Sequence, residues 1–188
     1  AETFTDYVQF DIMDGRFVPS HSVNCDAIRR LPMKLKWEAH LMVHEPARYF
    51  ADFRLAGARK VIFHFEAVKS PQRTIAQARK YGLKVGVAIN PETHASAVLP
   101  LAPKVDSILL LSVHPGFYGA RFIPKVMQKI ADLRPSGLEI GIDGGIKESN
   151  IEEVARSGVN DIYVGSAIFL QPDPAQAYRH LQMLVQDA

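Results

Sequence analysis

Short runs rich in Val, Ile and Leu alternate along the chain with longer segments of helical apolar periodicity. The short runs predict strands at 7–12, 37–42, 60–64, 84–89, 107–112, 139–142 and 161–164. Most are continuously apolar, the pattern of parallel strands covered on both faces. The longer segments predict helices over 46–56, 71–81, 94–102, 124–133, 147–157 and 174–185. Pro46, Pro71 and Pro124 stand where a first-turn proline is tolerated. Gly57, Gly82, Gly137 and Gly158 each close a helical stretch before the next strand. This alternation implies an α/β fold with a parallel sheet. No linker or low-complexity stretch divides the chain, so residues 1–188 are expected to form one domain.

The strand count refines the picture. A (β/α)8 barrel of parallel strands, the TIM barrel, needs eight strands, and the pattern supplies seven. The first strand is the absent one, so either it lies upstream of residue 7 or the barrel is open there. An open doubly wound sheet is the alternative architecture. The barrel is the expected fold because polar signatures sit at the C-terminal ends of several different strands, where barrel enzymes place their chemistry.

Charge and composition narrow the function class. A formal net charge of +2 over 188 residues gives no strong drive toward nucleic acid or an anionic membrane. No apolar stretch approaches the ~18 residues of a membrane span. Cys25 is the only cysteine, which fits a reducing compartment and a cytoplasmic protein. It falls in a polar loop with no nucleophile motif around it.

Six constellations can carry chemistry. In Gln9-Phe10-Asp11-Ile12-Met13-Asp14-Gly15, Gln9 and Asp11 share one face of a strand, while Asp14-Gly15 reads as a turn. His40 follows Glu38 at the end of the next strand, where a satisfied core histidine is the competing reading. His64 and Glu66 either line a mouth together or form a hydrogen-bonded pair on its rim. Ser112 to Gly119 is a loop whose Gly116 and Gly119 can expose backbone N–H groups to an anion, or simply turn the chain. Asp143-Gly144-Gly145 and Gly165-Ser166 follow the last two strands. Barrels often bind phosphate in those two places, though tight turns use the same residues. Walker-type, dinucleotide-binding and nucleophile-elbow motifs are absent.

Taken together, these motifs resemble those of ribulose-phosphate 3-epimerases. Asp11-Ile12-Met13-Asp14-Gly15-Arg16-Phe17-Val18-Pro19 resembles the family's strand-two signature, and Ala39-His40-Leu41-Met42 its strand-three signature. Ser112 to Phe117, Asp143-Gly144-Gly145 and Gly165 to Phe169 resemble later ones, in order and over nearly the whole chain. The resemblance implies a pentose-phosphate epimerase interconverting D-ribulose 5-phosphate and D-xylulose 5-phosphate. It implies one divalent metal ion (zinc, iron, manganese or cobalt) and a homo-oligomer. Asp11 and Asp143 match the acid and base, and Asp11, His40 and Asp143 match metal ligands. Met13, Met42, His40, Gly116, Gly119, Gly144, Gly145, Gly165 and Ser166 match substrate-binding positions. Three positions depart from the pattern. Gln9 stands where the family has a histidine ligand, Leu111 where it has a methionine, and the strand bearing a substrate-contacting serine is missing. A related ketose phosphate such as allulose 6-phosphate, or a phosphosugar-binding homologue without turnover, are the alternatives that these departures leave open.

Overall fold

The computed structural model describes residues 1–188 except Tyr118 and Asp187. Tyr118, in the glycine loop noted above, therefore lies outside the described residues. Seven strands form one sheet: β1 (Tyr7–Met13), β2 (Lys36–Met42), β3 (Lys60–His64), β4 (Lys84–Ile89), β5 (Ser107–Leu111), β6 (Glu139–Asp143) and β7 (Asp161–Tyr163). Every pairing is parallel and joins sequence neighbours, in the order β1 to β7. The sheet curls into a nearly closed (β/α)8-type barrel. Among the described residues nothing pairs with the outer edges of β1 and β7, as the count of seven runs implied. Side chains nonetheless bridge that gap. The Tyr7 and Tyr163 hydroxyls donate to the two oxygens of the Glu38 carboxylate, at 2.9 and 2.6 Å.

The alternation of side chains along each strand builds two cores. Outward residues such as Leu41, Val61, Phe63, Val85, Val87, Ile108, Leu110, Ile140 and Ile142 are buried under the helices. Inward residues Ile62, Ala88, Leu109 and Leu111 form a separate cluster with Tyr163 inside the barrel. Burial on both sides explains why these strands read as unbroken apolar runs. Gly141 makes room for the inward Tyr163 ring; a Cβ there would meet ring carbon Cε2 at 2.8 Å.

Helices α1 (Cys25–Arg29), α2 (Phe50–Leu55), α3 (Pro71–Lys80), α4 (Met127–Leu133), α5 (Glu148–Arg156), α6 (Ser166–Phe169) and α7 (Pro174–Gln186) cover the sheet. Each of α2 to α5 lays two apolar residues on it: Phe50 and Phe53; Ile75 and Ala78; Ile130 and Leu133; Ile151 and Val154. Two expectations change. The polar segment around Cys25 is a short helix, capped by the Asn24 side chain accepting from the Ala27 N–H at 2.9 Å. The helix expected over 94–102 is instead a pair of 3-10 turns, Ala95–Ala97 and Leu99–Lys104. Pro100 and Pro103 lack the N–H groups that an α-helical ladder needs there.

Candidate active site

The register of the first two strands sets the site. Gln9 pairs with Glu38, Asp11 with His40, and Met13 with Met42, so all six side chains share the inward face. On the far side, Leu111 of β5 pairs with Asp143 of β6. The barrel's curvature brings β1 and β6 together, and the Gln9 Nε2 amide donates to Asp11 Oδ1 at 3.2 Å and to Asp143 Oδ2 at 3.1 Å. His40 Nδ1 lies 3.0 Å from Asp11 Oδ1 and 3.6 Å from Asp143 Oδ2. One ligand atom each from Asp11, His40 and Asp143 lies within 4.8 Å of the other two.

Burial grades the three candidate ligands. His40 is fully enclosed, Asp143 keeps 19% of its side chain open, and Asp11 keeps 43%. Desolvation, then repulsion from Asp11, pushes the Asp143 carboxyl up to about 7. Burial opposes the charged form of His40. The hydrogen bond and charge of Asp11 outweigh that and hold His40 above its ordinary value. Asp143 can therefore hold its proton close to neutral pH.

Neighbouring loops hold these groups still. Ser22 Oγ donates to the Asp11 carbonyl at 2.6 Å and accepts from the Met13 N–H at 2.9 Å. Buried Ser112, at the end of β5, donates to the carbonyls of Asp143 and Gly144 at 2.9 and 2.7 Å. Ser112 opened a loop noted in the sequence without being read as a support, and Ser22, well beyond the end of β1, carried no signal. Gly144 and Gly145 turn the chain at φ of 114° and 67°. A Cβ on Gly145 would sit 2.6 Å from the backbone nitrogen of Phe122, so only glycine fits. Asn150 ties this turn to α5, donating to the Gly145 carbonyl at 3.1 Å and accepting from the Lys147 N–H at 2.8 Å.

All the remaining sequence-derived positions line one open cleft of about 1370 Å³: Met13, Met42, Gly116, Gly119, Gly144, Gly145, Gly165 and Ser166, with Leu111 among them. The cleft runs along the gap between β1 and β7, from Lys60 and Asp161 at the strand starts to the Gly144 turn at their ends. The loop after β1 leans across it, with Ser20 Oγ donating to the Gly116 carbonyl. His64 and Glu66 take neither of the expected arrangements fully. His64 is buried behind His40 rather than on a rim, with its Nε2 2.9 Å from His40 Nε2.

A family model described as the ribulose-phosphate 3 epimerase family matches residues 1–169. The chain belongs to the ribulose-phosphate 3-epimerase family. Its curated relatives carry the name ribulose-phosphate 3-epimerase, an isomerase. The chain is 42% identical to the ribulose-phosphate 3-epimerase of Synechocystis sp. over 187 residues, covering 94% of this chain and 81% of the relative. It is 38% identical to the Escherichia coli protein of that name, covering 89% and 79%. Among solved structures, 3-hexulose-6-phosphate synthase from Salmonella typhimurium superposes with a TM-score of 0.69 at 20% identity, covering 87% of this chain and 80% of that one. This last likeness concerns the barrel fold alone. No helix among the described residues is long and apolar enough to cross a membrane.

Proposed function

We propose that this chain interconverts D-ribulose 5-phosphate and D-xylulose 5-phosphate by proton transfer at C3 between Asp11 and Asp143. One observation carries the reading: two carboxylates from opposite sides of the barrel mouth meet over the cleft, joined by the Gln9 amide and the His40 ring. Inverting a carbon beside a ketone requires a proton to leave one face and another to arrive at the opposite face. With Asp143 holding a proton near neutrality, it can donate on one face while Asp11 accepts on the other. A carboxyl held near neutrality serves either role, worth ~10²–10⁴-fold per group. After one turnover the protonation of the pair is reversed, and exchange with solvent resets it.

The donor set fits a divalent cation. Two carboxylates, the imidazole Nδ1 and an amide side chain converge, and the amide's own oxygen is a buried acceptor without a hydrogen-bond partner. Rotating the Gln9 amide end for end would turn that oxygen toward Asp11 and Asp143. Three oxygen donors beside one nitrogen favour manganese or another oxygen-preferring ion over one that selects softer ligands. An ion held there would supply Lewis-acid stabilisation of the negative charge that develops on the substrate oxygens. The Gly144–Gly145 and Gly165–Ser166 loops are positioned to hold the phosphate and so to orient the sugar before proton transfer.

Gln9 also favours a second reading, a phosphosugar-binding homologue without turnover, because its NH2 already occupies both carboxylates. The test is to incubate the protein with ribulose 5-phosphate and each of manganese, cobalt, iron and zinc, and to follow xylulose 5-phosphate by carbon NMR. Conversion, with a higher kcat/KM than for allulose 6-phosphate, is the expected result. Sugar-phosphate binding without conversion under any of the four metals would establish the second reading.

A further inference from the structure

Behind the site, a line of polar groups leads from His40 into the rim of the barrel. His40 Nε2 faces His64 Nε2 at 2.9 Å, with the two rings stacked at 22°. His64 Nδ1 lies 3.5 Å from Glu66 Oε2. The other Glu66 oxygen, Oε1, accepts from the Asn90 N–H at 2.9 Å and from the Thr93 hydroxyl. Both histidines are fully buried, and Phe17 closes over the His64 ring at a centroid distance of 4.8 Å.

Donor and acceptor counting along this line leaves one arrangement in which His40 can take a cation. Glu66 receives two donors at Oε1; burial raises its carboxyl, but its contacts with His64, Thr93 and the Asn90 N–H hold it below its ordinary value, so both oxygens act as acceptors. His64 Nδ1 has no closer partner and lies 3.5 Å from that carboxylate, so the hydrogen belongs on Nδ1, directed at it. A neutral imidazole has one N–H, so His64 Nε2 is a lone pair. His40 Nε2 points at that lone pair and must carry its own hydrogen. Nδ1 of His40 then faces the pair; without a cation it donates to Asp11 Oδ1 at 3.0 Å, and a cation taken between Asp11 and Asp143 replaces that hydrogen.

We propose that Glu66 and His64 are positioning residues that set the tautomer of His40, keeping its Nε2 protonated and presenting its Nδ1 to a cation held by Asp11 and Asp143. This rests on the metal reading of the site given above. Outer partners of this kind fix ring orientation as well as tautomer, and their loss typically costs 10–100-fold in metal affinity.

Glu66→Gln tests the relay without changing its shape. The Asn90 N–H and Thr93 hydroxyl keep the amide oxygen at the Oε1 position, so the new NH2 points at His64 Nδ1. That donor makes His64 Nδ1 an acceptor, moves the His64 hydrogen to Nε2, and turns His40 Nε2 into an acceptor. His40 is left with its hydrogen on Nδ1, the atom the cation requires. In metal-free protein labelled with ¹⁵N at histidine, long-range ¹H–¹⁵N spectra should show hydrogen on His64 Nδ1 in the wild type. In Glu66→Gln they should show it on His64 Nε2. The dissociation constant for Mn²⁺, and for Co²⁺ by its visible absorption, should rise at least tenfold. The melting temperature should stay within a few degrees. His64→Phe should weaken both ions similarly; if it does not fold, Glu66→Gln decides alone. Unchanged tautomers and unchanged Mn²⁺ affinity in Glu66→Gln would overturn the proposal. If the wild type binds neither ion, the metal reading fails separately. The tautomer spectra then judge the relay: a moved proton upholds it, an unmoved one overturns it.

Discussion

Asp143 is the residue at which burial and repulsion are most plainly set against stability. Its carboxyl is raised from 3.8 to about 7, first by desolvation and then by the charge of Asp11. A folded-state value above the unfolded one means that the native chain holds a proton which the unfolded chain has released between about pH 4 and pH 7. The stabilising contribution is therefore complete below about pH 4 and is lost as pH rises through 7. Asp143→Asn removes the penalty that remains above pH 7. The metal-free variant should exceed the wild type by about 1–3 kcal/mol at pH 8, a figure discounted for the solvent-open Asp11. The two should converge near pH 4. Thermal melts across that range check the prediction. The same variant should lose epimerisation entirely, because an amide cannot take the C3 proton.

Gln9 is the other decisive residue. Gln9→His would give the cluster a second imidazole in place of an amide that must rotate to present its oxygen. Zinc affinity should rise about tenfold or more, since imidazole suits zinc better than a neutral amide. Calorimetric titration measures this directly. If affinity is unchanged, Gln9 contributes nothing to the cation site. The identity of Asp11, His40 and Asp143 as partners was legible through the resemblance of the ordered motifs to those of the family. The orientation of the Gln9 amide and the buried place of His64 were not. Both depend on which strands curl together, and His64, two residues before Glu66, reads in the sequence as a mouth or rim residue.

At the level of elements, the turn after β6 joins strand register to chemistry. Gly145 sits at φ 67° with the Phe122 backbone against its missing side chain. Gly145→Ala therefore incurs both a left-handed backbone cost of ~1–2 kcal/mol and a backbone displacement. Urea unfolding should show a loss of about 2–3 kcal/mol in total. Binding of inorganic phosphate should weaken with it, if this turn holds the phosphate as proposed. Phosphate affinity that survives in the folded variant would place the anion elsewhere. The strands themselves were readable to within a residue at each end because parallel burial writes continuous apolar runs. The 3-10 turns near Pro100 and Pro103 were not, since apolar spacing there mimics a helix while the two missing N–H groups forbid one.

The whole molecule is a barrel of seven described strands whose gap is spanned by tyrosine hydroxyls on a buried glutamate. Glu38 is fully enclosed, and its charge is met by Lys60 Nζ at 2.8 Å, by Tyr7 and by Tyr163. Burial, then the Glu38 charge, raises both tyrosines far above their ordinary range, so they remain donors at every working pH. Removing one partner of such a pair leaves an uncompensated buried charge. Lys60→Met should cost about 3–5 kcal/mol, and Glu38→Gln combined with Lys60→Met should recover part of it. Chemical denaturation of the single and double variants provides the comparison. A single variant as stable as the wild type would mean that the gap between β1 and β7 admits enough water to solvate Glu38.

The claim that joins these scales is that Asp11 and Asp143 exchange the C3 proton of a ketose phosphate across the barrel mouth. It is tested most directly by incubating the manganese-loaded protein with ribulose 5-phosphate in deuterated water and reading deuterium at C3 by NMR. The account predicts deuterium at C3 in both ribulose and xylulose 5-phosphates with the wild type. It predicts none with Asp143→Asn. Interconversion without deuterium entering C3, or full incorporation by Asp143→Asn, would contradict it.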